Sequence, residues 1–447
     1  MNKNIVIIIL LFLEVCLVSC TRNGFEKDLN NNQLPMKAKN SEEPILVKEV
    51  NVEIAKEVAK VFFAETTDKK IENIEVKNID SIVDVNNHTA MYIFNMSPQG
   101  FVITSANIKN EPIIGFSKRG NINLQDETDV PSSFLSFLQE TAVVNHIIAT
   151  NDEDPFREYQ WENIGEWQVF LCKAAYKKFS IKIEIFEDPC RNAPRKLIDS
   201  TIVSTIGFFC KTNWGQGEPY NYYIFGHRYA GCVAVAMGQI MRVHQYPRWI
   251  EWSIMPNACT NSYNNATSGE KEVAGLLANI GFNVQMIYGH NGSSAADFMA
   301  RISFVINYNY SHSADLDPWN YNRIINQLKN DKIPIYAGGY QPKACWLYKK
   351  FPTNGHVYVL DGLKTMVRTY EYECLGKTYT YKTERDLIHY NFGWGDRLKP
   401  NEEGYNGWYS NNIAFLLNNA TTIDMLLNKH FPNYEYKKIC IYDIKPR

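Results

Sequence analysis

Apolar residues return at helical spacing in NVEIAKEVAKVFFAE, where Ile54, Val58, Val61 and Phe62 share one side, and this predicts a first helix. The next stretch, AMYIFNMSPQGFVITSANIKNEPIIGFSKRGNI, alternates apolar and polar residues. With turn signals at 97–100 and at Gly120, it predicts a small antiparallel sheet of short strands. Helical spacing resumes in PSSFLSFLQETAVVNHIIAT, with Pro131 near its start and Ser132 or Ser133 as the cap. Residues 46–150 thus predict a compact α+β module. Periodicity then fades over 151–200, which ends in EDPCRNAPRKLIDS with two prolines and a basic cluster. This reads as an exposed linker open to proteolysis.

A second module, 201–447, opens with the Ala-rich helix of AGCVAVAMGQIMRVHQYP. Another helix is expected in SSAADFMARISFVI, with Phe298, Ile302 and Val305 on one face, and a third in DPWNYNRIINQLKND, with Asp317 as cap and Pro318 in the first turn. Strand-like segments follow: KIPIYAGGY, GHVYVLDGL, TYEYECL, KTYTYKT, LIHYNFGWG and YNGWYS. Helices first and strands later predict an α+β domain in which a helical lobe packs against an antiparallel sheet lobe. No internal repeat or low-complexity tract interrupts it.

The amino terminus changes this picture. MNKN brings a positive charge, residues 5–13 are apolar, and LVSC at 17–20 places small residues before a cysteine. The apolar run is too short to span a bilayer. Residues 1–20 resemble a bacterial lipoprotein signal that leaves Cys20 as a lipidated first residue, with Glu14 as a departure and a plain secretory signal as the alternative. Both readings imply export, and the lipidated one implies a cell-surface or outer-membrane protein anchored through its lipid. Residues 21–45 are polar and read as a flexible tether.

Composition excludes more than it assigns. A net charge of -2 supplies no basic field for nucleic acid. The aromatic content, 27 Tyr, 23 Phe and 9 Trp, suits a sheet-rich core and is compatible with a peptide groove. Of ten cysteines, Cys16 and Cys20 belong to the leader, and the other eight include no CxxC pair. Without such a pair or an HExxH motif, no zinc site is expected. Dinucleotide-loop, phosphate-loop and GxSxG patterns also fail, so no cofactor is expected. Mostly buried free thiols, with one or two disulfides, are expected of an exported chain of this size.

Chemistry gathers at one cysteine. Cys232 begins the Ala-rich helix, where free N–H groups and the positive dipole end favour a thiolate, and Gly231 lets the backbone approach closely. By itself the residue also fits an inert core cysteine. A base must come from elsewhere in the chain. His356, in NGHVYVLDG, follows Gly355 and opens a strand, where it is either that base or a structural histidine. Asn391, at the end of another strand, is a candidate to orient the ring, or a turn asparagine. Gln216, between two glycines, offers a side-chain amide that would join the Cys232 N–H in an oxyanion hole.

The segments WGQGEPYN, GCVAVAMGQIMRVHQYP, GHVYVLDG and NFGWG, in this order, resemble the streptopain family of papain-like cysteine peptidases over roughly 202–415. The stretch 90–122 resembles that family's propeptide sheet. The resemblance implies an endopeptidase made as an inactive precursor, with protein or peptide substrates and its own propeptide as an intramolecular inhibitor. It puts the nucleophile on Cys232, the base on His356, the oxyanion amide on Gln216, and ring-orienting or groove-wall roles on Asn391, Phe392 and Trp394, beside Gly231 and Gly355. Two departures stand out: Phe392 occupies a position where the family commonly has Trp, and DRLKPNEEGY lengthens the loop after Gly395. They leave open an inactive surface lipoprotein that binds peptide or host protein in the same cleft, and the same cysteine–histidine pair would also serve a thiol acyltransferase.

Overall fold

The expected alternation in the first module is hidden by burial on both faces of its sheet. The computed structural model describes residues 49–84, 86–124, 130, 132–151, 156–174, 190, 193, 195–289, 292–340, 355–395, 404–410 and 437–447. The leader, Cys20, the tether and most of the insertion after Gly395 lie outside the described residues. Helix α1 (Val52–Thr67), capped by the Asn51 side chain, precedes strands β1 (Val76–Val83), β2 (Thr89–Met96), β3 (Phe101–Ser105) and β4 (Ile113–Ser117). One sheet face packs Phe94, Val102 and Phe116 against Val58 and Phe62 of α1. The other packs Met91, Ile93 and Ile103 against Phe134 and Leu138 of α2 (Ser132–Thr150). Strands covered on both sides read as continuous apolar runs, so all five residues of β3 and of β4 are buried.

The stretch read as a linker holds regular structure that its weak periodicity concealed. Helix α3 (Phe156–Lys173) seals α1 through Ile164, Trp167 and Phe170. Strand β5 (Arg195–Gly207) pairs along β8 (His356–Cys374). A disulfide joins Cys190 to Cys374, and Cys210, Cys232, Cys259 and Cys440 are free and buried.

The helical lobe consists of α4 (Cys232–His244), α5 (Ser268–Asn283) and α6 (Asp297–Ile306), whose buried faces share one cluster, whereas the short α7 (Tyr321–Asn326) packs Ile324 into the cluster on the other sheet face, with α2. Two expectations are corrected here. In α6 the buried apolar side chains are Ala300, Phe304 and Val305, whereas Phe298 and Ile302 are exposed. Asp317 and Pro318 do not start a helix: they lie in strand β6 (Asp315–Pro318), which pairs with β11 (Lys437–Tyr442), and α7 is capped by Asn320 instead. That sheet partner is over 110 residues away, beyond any local signal. Helix α5 went unforeseen although Thr267 and Glu270 form a capping box at its start.

One antiparallel sheet spans both modules, in the order β1-β2-β3-β4-β10-β9-β8-β7-β11-β6, with β5 added to β8. The six expected strands of the second module merge into fewer, longer ones: β7 (Ile335–Tyr340), β8, β9 (Lys377–Asn391) and β10 (Gly407–Ser410). The junction between modules is the β4–β10 pair, with Phe116 opposite Trp408. Around it, Phe134 and Phe137 of α2 meet Phe392, Tyr390, Tyr405 and Tyr409.

A buried polar cluster lies beside this aromatic contact. Arg385 of β9 bridges Glu111, Glu162 and Glu166 of the first module, and Glu166 also meets Arg368 of β8 at 3.2 Å. Glu111 accepts from Tyr159 and from Ser410, and burial raises its pKa. Leaving one charge of such a cluster unpaired typically costs about 3–5 kcal/mol, so it fixes the register between modules more than it adds net stability.

Candidate active site

Gly231 sets the geometry. At φ 91° it caps α4 in a backbone region that L side chains avoid, and a Cβ there would lie 2.7 Å from Met286 Cε. Cys232 follows as the first helical residue, and no side chain caps the helix start. Its thiol lies within hydrogen-bond reach of the backbone N–H of Val357, the residue after His356. The sulfur that begins α4 thus meets the strand that His356 opens, across 124 positions of chain.

Burial dominates both candidate reacting groups. The Cys232 thiol is pushed up to about 11, although the N–H groups of Val357, Val233 and Cys232 itself favour the anion. A rise of that size corresponds to about 3 kcal/mol, against roughly 0.3–1 kcal/mol from a helix dipole, so desolvation wins and the thiol is neutral at pH 7. His356, 5% exposed, is pushed down to about 4 by the same cause.

His356 Nε2 lies 3.0 Å from the carbonyl oxygen of Phe392. A carbonyl only accepts, so Nε2 carries the proton and a neutral ring keeps its lone pair on Nδ1. The ring is therefore held by backbone, not by the amide expected of Asn391. Asn391 instead donates from Nδ2 to the Thr212 carbonyl (2.9 Å) and accepts from Gln239 Nε2 (3.2 Å) and the Gly393 N–H (3.1 Å). Gln239 belongs to α4 and also accepts from the Thr212 hydroxyl, so Asn391 ties the sheet lobe to the nucleophile's helix. Gly393 is required there: φ is 64°, and a Cβ would come within 2.9 Å of Val235.

The groove-wall candidates separate because the chain leaves β9 after Asn391 and turns at Gly393, whose φ is 64°. Tyr390 and Phe392 point together into the aromatic core under α2. Phe392 is fully buried, so its side chain lines no groove and only its carbonyl reaches the site. Trp394, two positions on, is half-buried with its ring 5.6 Å from that of His356. Gly355 is half-buried immediately before β8.

Gln216 is held beside the Cys232 helix start because its carbonyl accepts the Ala230 N–H at 2.8 Å. Its side chain is 4% exposed, yet Nε2 takes no hydrogen bond among the described residues. A buried, unpartnered donor is costly. Beside an uncapped helix start it is a donor awaiting an acceptor.

Two residues escaped the sequence reading. Asp297 opens α6, is 5% exposed, and accepts a 2.7 Å hydrogen bond from the Tyr336 hydroxyl. The Asp297 carboxylate raises the cost of charge on Cys232, and burial with that carboxylate pushes the Tyr336 hydroxyl well up. An Asp in a first turn reads as an ordinary complement to the helix dipole, and nothing local marks it as facing a thiol. No group of three or more His, Cys, Asp or Glu is placed to hold a metal ion among the described residues.

A family model described as Peptidase C10 matches residues 214–251 and 248–405, and one described as Spi protease inhibitor matches 47–142. Streptopain of Streptococcus pyogenes is 21% identical over 377 residues, covering 71% of this chain and 76% of that protein, and the streptopain of serotype M1 matches to the same extent. Among solved structures, a prointerpain A fragment from Prevotella intermedia aligns at 15% identity with a TM-score of 0.48, over 83% of this chain and 99% of that one. Residues 214–405 thus match the Peptidase C10 family and residues 47–142 the Spi protease inhibitor family, so the chain is similar to the streptopain family of cysteine peptidases, with a propeptide-like segment ahead of the peptidase-like one.

Proposed function

We propose that the chain is an exported cysteine endopeptidase made as a zymogen. The observation that carries the reading is the Cys232 thiol at the uncapped start of α4, against the first backbone N–H after His356 and near the unpartnered Gln216 amide. His356 Nδ1 takes the thiol proton, and the thiolate attacks a peptide carbonyl. The oxyanion is held by Gln216 Nε2 and the Cys232 N–H, and the imidazolium protonates the leaving amine. Water activated by the same nitrogen then releases the acyl group.

The neutral pair described above corresponds to the latent state. Loss of the first module would admit water to both groups, lowering the thiol and raising the imidazole until the thiolate–imidazolium pair forms. Contacts of α2 with Phe392 support this role, because the carbonyl of Phe392 holds the histidine. Cleavage near Arg191–Lys196 would free the module, and the lipoprotein-type leader would deliver the zymogen to the cell surface.

The test is to purify the chain without its leader, follow its size under reducing conditions, and read the new amino terminus. Reduction matters because the Cys190–Cys374 disulfide would hold cut pieces together. Self-processing that Cys232→Ala abolishes supports the reading; full processing of that variant with no other protease present overturns it. A thiol-directed peptide epoxide separates a peptidase from an inactive peptide binder, which would leave Cys232 unlabelled. Product masses separate hydrolysis from acyl transfer to an amine. Neither alternative is favoured by an observation at the site.

A further inference from the structure

Asp297 is a carboxylate set beside the nucleophile for which the peptidase scheme has no use. From the start of α6 it meets Tyr336 of β7 on the sheet face where Cys232, at the start of α4, meets Val357 of β8. Tyr336, its hydrogen-bond donor, and Val357, whose N–H meets the thiol, lie in one apolar cluster with Cys232. Gly338 stands between them: a Cβ built there would lie 3.6 Å from Asp297 Oδ1, from Val357 Cγ2 and from Ile439 Cγ1, so the carboxylate and the strand that carries the Val357 N–H are neighbours across one glycine. Met286, packed against Gly231, closes the nearby wall. Asp297 forms no ion pair among the described residues, although a buried carboxylate without a counter-ion is expensive.

We propose that Asp297 is a specificity determinant of the Cys232 site, supplying the counter-charge for a lysine or arginine side chain of the substrate near the scissile bond. The inference rests on the peptidase reading and adds its substrate class. A guanidinium or ammonium reaching Asp297 would gain a charge-assisted hydrogen bond and relieve the unpaired carboxylate, whereas a neutral side chain of equal size would leave that cost in place. The chain's own activation stretch carries such side chains, with Arg191, Arg195 and Lys196 in CRNAPRK. Burial lifts the carboxyl to about 6, which leaves it ionised at neutral pH and above.

The experiment uses the processed full chain and a peptide library in which each position within three residues of the scissile bond is varied among Lys, Arg, Leu and Gln, read as relative kcat/KM. The expected result is a preference of about tenfold or more for Lys and Arg at one position. Asp297→Asn, which keeps the oxygen that Tyr336 uses, should collapse that ratio toward one, and Asp297→Glu should restore part of it. The ratio within each variant is the readout, so a general loss of activity does not obscure it. Hydrolysis with no cationic preference at any position, or a preference that survives Asp297→Asn, overturns the inference alone. Absence of any hydrolysis together with absence of epoxide labelling at Cys232 overturns the peptidase reading and the inference with it.

Discussion

Two cysteine–histidine constellations lie in the second module, built from the same residue types to opposite effect. At the first, Cys232 meets backbone N–H groups at a helix start, and His356 is held through one nitrogen by a carbonyl, so its second nitrogen keeps a lone pair. At the second, Asp361 is fully buried at a bulge in β8, where it accepts the Cys210 N–H at 2.9 Å and faces His389 Nδ1 at 2.6 Å. Burial and that carboxylate push the Cys210 thiol well up. Phe208 stacks on the His389 ring at 4.5 Å and Trp408 meets it edge-on at 5.0 Å. At Cys232 three backbone N–H groups offset part of the burial and of the Asp297 charge, whereas at Cys210 the Asp361 carboxylate adds both its charge and a hydrogen bond from the thiol to the effect of burial. Reactivity therefore follows from which groups surround the sulfur, since both sulfurs are buried.

The largest expected effect separates the two directly. Cys232→Ala should lower peptide hydrolysis by about 10^4-fold or more, as removal of a covalent nucleophile does, while Cys210→Ala should keep activity within a few-fold; fluorogenic peptide assays read both. Next comes Gln216, the proposed oxyanion donor. Gln216→Ala should cost roughly 10²–10³-fold in kcat with KM little changed, and an equal rise in KM would point instead to ground-state binding. At the second constellation, Asp361→Ala leaves two buried donors unpaired at about 1–3 kcal/mol each, so chemical denaturation should show a loss of a few kcal/mol while folded protein still labels at Cys232.

The smallest effect is a pH profile. Because the Cys232 thiol is held near 11 in the uncut chain, iodoacetamide alkylation there should rise about tenfold per pH unit up to roughly pH 10. After processing, reaction should already be fast at neutral pH. Cys210 should stay unmodified throughout, and fast neutral alkylation of Cys232 in the uncut chain would break the contrast.

The chain's local patterns carried the elements whose burial follows from their own residues. Helix α1 was legible because Ile54, Val58, Val61 and Phe62 meet a single partner surface. Helix α3 was not, since its apolar positions are spread around it to meet α1, α2 and the β8–β9 hairpin at once. Strands β6 and β11 lacked any local mark because each is defined by its distant partner. At the site, residue type and setting singled out Cys232, His356 and Gln216: a glycine before a helix, a glycine before a strand, and an amide between glycines. The partner of the ring was illegible, because a backbone carbonyl has no sequence signature and any residue at 392 supplies one.

By itself, then, the order of residues determined a cysteine at a helix start, a histidine at a strand start, the α+β class and the family resemblance, because these depend on periodicity, capping and short motifs that act within a few residues. Only the tertiary structure decided that one sheet runs through both modules and that Phe392 faces the inhibitor domain while its oxygen faces the histidine. It alone decided that Asp297 stands beside the sulfur. The reason is physical: strand partners, burial and the field at a thiol are set by groups brought together from far along the chain, and no local pattern encodes which of them arrive.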